Sequence, residues 1–234
     1  MKNKILIALV EGDTDEALIN VLIEKFKSNI EFQVHIVRCD LFSQYTQKSI
    51  KQNIGDWIEK EVLVKYKLKK KDIIAVIQVI DIDAVYLSNV KINNQVDRIA
   101  YYDDRIEVPN EKRKCEILSR NKNKSSKINQ MIITKIFSNI EFRLFFFSCN
   151  LEHAIFNKLN LSQEDKDDLM FEYIDCTEIE EIEKHIESVA CRKITNDFEE
   201  DFDNSWQMMK SFEMNVRNTN INLLNSYVSF ILQR

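Results

Sequence analysis

Acidic residues at the ends of apolar runs carry the clearest chemistry in this 234-residue sequence. Glu11 follows the apolar run at residues 5–10, and Asp81 and Asp83 follow the run IIAVIQVI at residues 73–80. Carboxylate oxygens suit Mg²⁺ or Mn²⁺, which bind one or two carboxylates together with water and phosphate. The three acids therefore predict a divalent-metal site, provided that the elements carrying them are neighbours.

Carboxylates that lie close together repel one another, and a folded protein must relieve this repulsion. Two like charges about 4 Å apart repel by roughly 4 kcal/mol at an effective dielectric of 20. Three mutual pairs would cost on the order of 10 kcal/mol, which is comparable to the stability of a whole domain. The cluster must protonate, spread apart or bind a cation. We therefore expect neutralisation of Glu11, Asp81 or Asp83 to leave the metal-free fold at least as stable. Taken one at a time, each acid reads equally well as an ordinary turn residue.

Gly12 is one of only two glycines in the chain, and it lies directly after Glu11. A glycine there would let the backbone turn sharply and let a metal or phosphate approach closely. Asp13 and Glu16 have the spacing of a helix N-cap and its capping-box partner. The alternative is that Glu11 and Gly12 form only a strand-to-helix turn.

The elements that position these acids predict an α/β fold. The apolar runs at 5–10 and 73–80 have the length of buried strands, and helical material separates them, which favours a mainly parallel sheet flanked by helices. Acids beyond the carboxyl ends of such strands lie where functional groups collect. Further strands are predicted at 34–37, within 98–108 and at 142–148, and helices at 13–27, 46–67, 126–137 and 151–159. Residues 86–123 read as irregular.

The domain organisation follows from the change of pattern along the chain. We predict a core at residues 1–160 with a basic insertion at about 86–125, and a helical C-terminal extension at 161–234 packed on that core. No stretch approaches the roughly 20 apolar residues that span a bilayer. The five cysteines form no CxxC pair, which favours reduced thiols. We therefore expect a cytoplasmic protein that does not bind membranes.

A basic segment is the candidate nucleic-acid contact, although the formal net charge of the chain is −5. Its cationic residues are Lys112, Arg113, Lys114, Arg120, Lys122, Lys124 and Lys127. Such a run can bind phosphates without reading sequence. The simpler interpretation is a solvated loop.

The order of these motifs resembles the TOPRIM fold, in which a glutamate follows the first strand and a DxD follows a later one. The matching stretches are EGDTDEALI at 11–19 and VIDIDAVY at 79–86. A third stretch, SCNLEHAIFNKL at 148–159, resembles the SNPxFExWLL element of the RloB-like branch, which is found beside restriction and abortive-infection systems. That likeness aligns Asn150 and Glu152 with the asparagine and glutamate of the element. TNINLLNSYV at 219–228 resembles the closing helix of the branch.

The resemblance implies a Mg²⁺- or Mn²⁺-dependent nuclease that cleaves DNA or RNA in anti-phage defence by abortive infection. Glu11, Asp81, Asp83 and Glu152 would be catalytic, and the first three would hold the metal. Glu152 equally fits an acid at a helix N-terminus. Lys127, Lys135 and Arg143 are candidates for the lysine that some TOPRIM nucleases use.

A second hypothesis is a non-enzymatic TOPRIM-like module that binds nucleic acid or a partner, such as an ATPase or another defence protein, and regulates a defence complex. The acidic helix at 178–187 would suit docking, although a solvated face explains it too. An oligomer is compatible with either hypothesis. A phosphoacceptor receiver domain fits less well, because it places its acidic pair after the first strand.

Overall fold

The computed structural model describes residues 4–28, 32–44, 47–191, 195, 197–211 and 217–233. Contacts between Cα atoms divide the chain into two compact units. The first comprises Met1–Ile80, Lys127–Phe145 and Leu224–Arg234, and the second comprises Asp81–Ser126 and Phe146–Leu223. Each unit is therefore assembled from separate stretches of sequence. The predicted boundary at residue 160 stays a prediction.

The first unit is built on a five-stranded sheet with the order β2-β1-β3-β8-β7. Its strands are β1 (Lys4–Val10), β2 (Phe32–Arg38), β3 (Ile73–Asp81), β7 (Ile133–Ile136) and β8 (Ile140–Phe147). β1 pairs in parallel with β2 and β3, and β7 pairs with β8 in antiparallel fashion. The predicted strands at 5–10, 73–80 and 142–148 therefore lie in one sheet. The α/β class is confirmed, with a mixed sheet.

Helices cover this sheet because their apolar residues recur at helical spacing. They are α1 (Asp13–Leu22), α2 (Ile50–Trp57), which continues through a π-helical turn at Ile58–Leu63 into α3 (Val64–Tyr66), and α9 (Leu224–Leu232). Ile54, Ile58 and Val62 are fully buried on one face of the α2–α3 segment. The predicted helix at 46–67 thus begins later, at Ile50, and Thr46 lies outside the described residues.

The second unit combines a three-stranded sheet with helices. Its strands are β4 (Val90–Ile92), β5 (Ala100–Tyr101) and β6 (Ile106–Val108), in the order β4-β6-β5. Its helices are the first part of α4 (Glu111–Met131), then α5 (Leu151–Phe156), α6 (Gln163–Cys176), α7 (Ile179–Ser188) and α8 (Phe198–Ser211). Asn220 lies fully buried here, and its side chain accepts from Phe146 N at 2.9 Å and donates to Ser205 Oγ at 3.1 Å.

Helix α4 corrects the sequence analysis most strongly. We predicted irregular chain up to residue 123 and a helix at 126–137, whereas a single helix runs through Glu111–Met131 and a strand occupies part of the predicted helix. The apolar pattern of this helix is weak because Asn121 and Lys124 occupy buried positions between Ile117 and Ile128. Among the described residues, none of the helices combines the length and apolarity needed to cross a membrane.

Candidate functional site

The sheet order places the first two predicted acids at the ends of neighbouring strands. β1 and β3 are adjacent and parallel, with Leu9 opposite Gln78. Glu11 is the residue after β1, and Asp81 is the last residue of β3. Since the carboxyl ends of parallel strands meet at one edge of a sheet, this order satisfies the topological condition set by the sequence analysis.

Asp83 lies in a tight turn directly after β3. Asp83 and Ala84 both have φ of 53°, and Val85 N–H donates to Ile82 O at 3.1 Å, which is the pattern of a type I′ turn. Left-handed backbone costs a residue with a Cβ about 1–2 kcal/mol. The turn is held from outside, because Asp83 N–H donates to Cys149 O at 2.7 Å. Cys149 itself has φ of 52°.

The Asp83 carboxylate contacts a buried lysine. Lys124 Nζ lies 2.6 Å from Asp83 Oδ2, and the Lys124 side chain is 1% exposed while that of Asp83 is 29% exposed. An ammonium this deeply buried requires a paired and hydrogen-bonded anion. We predicted that Lys124 binds phosphate, and its contact with Asp83 was not foreseen. Lys124 lies seven residues, or about two helical turns, after Ile117. If α4 had been recognised as a helix, this spacing would have indicated that the Lys124 side chain faces inward.

Arg120 contacts the same turn one helical turn away from Lys124. Its guanidinium donates to Asp83 O at 3.0 Å and to the hydroxyl of Tyr101 at 2.8 Å. Burial, and secondarily the charge of Asp83, raise the pKa of Tyr101 to about 12, so the phenol stays neutral. Asp83 is therefore fixed at its amide, its carbonyl and its carboxylate.

The third motif adopts a structural arrangement around α5. Asn150 caps the helix by accepting from His153 N at 2.8 Å. Glu152 is 2% exposed, and its Oε2 lies 3.0 Å from Lys166 Nζ. This ion pair favours the interpretation of Glu152 as a helix-terminal acid. Within the described part of the chain, no group of three or more His, Cys, Asp and Glu side chains is placed to hold a metal. Joint binding of a metal by Glu11, Asp81 and Asp83 stays a prediction.

The backbone of Gly12 does not require a glycine, and the predicted approach of a metal or phosphate to this residue stays a prediction. Its φ is −133°, which is extended backbone open to any residue, and an added Cβ would lie 3.6 Å from Asp15 Oδ2, an ordinary contact. Gly12 is the N-cap of α1, and its N–H donates to Asp15 Oδ2 at 2.9 Å. The predicted capping residues, Asp13 and Glu16, instead pair with Arg38 on the surface.

The seven predicted phosphate-binding residues divide between two faces of α4. Lys112, Arg113 and Lys122 are exposed, and Lys114 is partly exposed. Lys127 points inward and donates to backbone carbonyls, as Arg120 does. The two other candidates for a catalytic lysine lie elsewhere: Lys135 is exposed, and Arg143 is buried and paired with Glu141 at 2.9 Å.

Three comparisons with known proteins leave the family open. No protein-family model, no curated protein and no solved structure matches the chain. The TOPRIM resemblance therefore stays a prediction that rests on the quoted motifs.

The Asp83–Lys124 pair changes the stability expected of one variant. Asp83→Asn should destabilise the metal-free fold by about 3 kcal/mol, because it removes the carboxylate that lies 2.6 Å from the buried Lys124 ammonium. Lys124→Met should cost less, since Asp83 is partly hydrated, and Asp83→Asn with Lys124→Met should recover most of the loss. Urea unfolding measures all three variants. Asp104→Asn, which removes a surface partner of Arg105, should change stability by about 0.5 kcal/mol or less. Equal stability of Asp83→Asn and wild type would contradict the pairing.

His153 should make stability depend on pH. Burial, together with the charge of Arg217, lowers the pKa of His153 below its usual 6.5, although Ser148 O and Asp103 oppose this. The unfolded chain therefore takes up the proton first, and stability should fall as the pH drops from about 7.5 to about 5.5. His153→Gln should show a shallower fall in urea titrations at these two pH values. An unchanged pH dependence would show that His153 is not the source.

Proposed function

We propose that this chain is a Mg²⁺-dependent, TOPRIM-type nuclease that cleaves phosphodiester bonds of DNA or RNA in anti-phage defence. One observation carries the proposal: acids follow the carboxyl ends of two adjacent parallel strands, and the turn after the second strand fixes a further acid, Asp83, beside a buried lysine. Turn residues without a function do not need such fixation, since an exposed aspartate is stable in many conformations.

The charges indicate which residues would hold the metal. Lys124 pairs with Asp83, and Glu11 and Asp81 lie at the ends of two adjacent parallel strands, so we assign metal binding to Glu11 and Asp81. Two carboxylates with waters and a substrate phosphate are the ligand set that Mg²⁺ commonly adopts. This charge balance favours one resident ion over two. When bound, Mg²⁺ would polarise the phosphate and lower the pKa of a coordinated water.

The protein's own groups would orient the reaction. Arg120 and Cys149 fix the backbone of Asp83, and Lys124 fixes its carboxylate. Arg120 and Lys124 therefore act through Asp83 as positioning residues in the metal-free protein. We assign phosphate binding to the outer face of α4. In the described structure, Lys112, Lys114 and Lys122 form no ion pair on this face. Arg113 pairs with Glu116 at 2.7 Å.

The competing function is a non-enzymatic module that binds nucleic acid or a defence partner such as an ATPase. It is favoured by the lack of a three-acid metal group among the described residues. Nucleic-acid binding is compatible with both functions, and only the first predicts metal-dependent cleavage.

Cleavage assays separate the two functions. Purified protein should cleave labelled DNA or RNA with Mg²⁺ or Mn²⁺, and should not do so with EDTA. Glu11→Gln and Asp81→Asn should each lower the rate by about 100-fold or more, because each removes charge that holds the ion. Glu172→Gln, an exposed substitution on α6, is the matched control and should leave the rate unchanged. Wild-type protein that cleaves neither polymer, or variants that retain full activity, would overturn the proposal.

Salt dependence tests the nucleic-acid surface separately. Replacing Lys112, Arg113 and Lys114 together by Gln should weaken binding and flatten the slope of log K against log salt. Each lost phosphate contact changes the slope by about 0.9, so we expect a change of roughly 2 to 3. Replacing Lys67, Lys69 and Lys71, an exposed basic set of equal charge, should leave the slope unaltered. The same slope for both triple variants would show that the contact is not on α4.

A further inference from the structure

Lys127 makes an unusual set of contacts in the first unit. Its Nζ donates to Leu41 O at 3.2 Å, to Phe42 O at 2.9 Å and to Gln44 O. An ammonium carries three donors and no acceptor, so three converging carbonyls match its hydrogen-bonding capacity. All three acceptors belong to the segment that follows β2, which we call the 39–44 loop.

The 39–44 loop is compact and turns these carbonyls toward the protein. Ser43 N–H donates to Asp40 Oδ1 at 3.2 Å, and Gln44 Nε2 donates to Asp40 O at 2.7 Å. Leu41 and Phe42 are 7% and 1% exposed, so their side chains pack against the protein, whereas Asp40, Ser43 and Gln44 are exposed. Carbonyl dipoles that converge on one point repel one another, and a cation among them removes that cost.

The loop is also attached to the end of β1. Cys39 N–H donates to Val10 O at 2.7 Å, and Cys39 O accepts from Gln78 Nε2 at 3.2 Å. Val10 is the residue directly before Glu11, so the loop is hydrogen-bonded to the backbone next to Glu11. Any displacement of the loop would therefore reach the backbone that carries Glu11.

We propose that Lys127 is a built-in counter-cation that holds the 39–44 loop against the end of β1 and so positions Glu11, and that the three carbonyls form a binding site for a small ammonium ion when the lysine is removed. An arginine would not substitute well, because its planar fork cannot direct three donors at converging carbonyls. The proposal concerns a metal-free contact and does not depend on nuclease activity.

Alkylation of Cys39 reports release of the loop directly. The experiment uses a background with Cys115→Ser and Cys176→Ser, which removes the two exposed cysteines and leaves three buried ones. Lys127→Ala should raise the alkylation rate of Cys39 at least tenfold by peptide mass spectrometry, with Cys149 and Cys191 unchanged. Ammonium chloride should restore slow alkylation, whereas tetramethylammonium chloride at the same ionic strength should not, because it cannot donate hydrogen bonds. Lys122→Ala on the exposed face is the matched control.

Three results would overturn the proposal. The first is an unchanged alkylation rate of Cys39 in Lys127→Ala, and the second is that both salts restore slow alkylation equally. The third is a rise in the alkylation rate of all three cysteines that also occurs in a second variant. That variant is Lys127→Gln, which keeps neutral amide donors and disturbs packing less. A rise confined to Cys39 in either variant, reversed by ammonium alone, supports it.

Discussion

The ion pair between Lys124 and Asp83 is the interaction on which the arrangement of the site depends. Lys124 is almost completely buried, and the Asp83 carboxylate 2.6 Å away offsets part of the cost of burying its charge. Asp83 in turn adopts a left-handed conformation that an isolated aspartate would leave. The lysine therefore gains an ion-pair partner, and the aspartate gains a fixed position. Replacing either side chain would change both the pairing of the lysine and the position of the aspartate.

This pair also revises the electrostatic argument made from the sequence. Three neighbouring carboxylates would repel strongly, and that repulsion implied that neutralising any one of them is harmless to the fold. That implication holds only for acids that are isolated from other charges. With a buried ammonium at Asp83, the repulsion is reduced within the metal-free protein, and the expected sign of the effect at Asp83 reverses.

The strands were predictable and α4 was not, for a physical reason that particular residues make clear. β1, β3 and β8 each contain a run of apolar residues, at 5–10, 73–77 and 144–147, so the local composition indicates their burial. Helix α4 buries Asn121 and Lys124, whose partners lie far away in sequence. Turns were equally hidden: all eight described residues with positive φ are other than glycine, among them Asp83, Ala84 and Cys149. The turn at Asp83 is held by Cys149, which lies far away in sequence, so the local sequence does not record it.

A basic run on a helix therefore needs a different interpretation from a basic run in a loop. In a loop every cation can reach solvent, whereas in a helix of 3.6 residues per turn one face must lie against the protein. Arg120, Lys124 and Lys127 follow that spacing, and each contacts backbone or carboxylate oxygens. The cations on the outer face keep the freedom to bind phosphate. The seven basic residues thus have two separate roles, internal contacts and phosphate binding. The position of each residue around the helix determines which of the two roles it has.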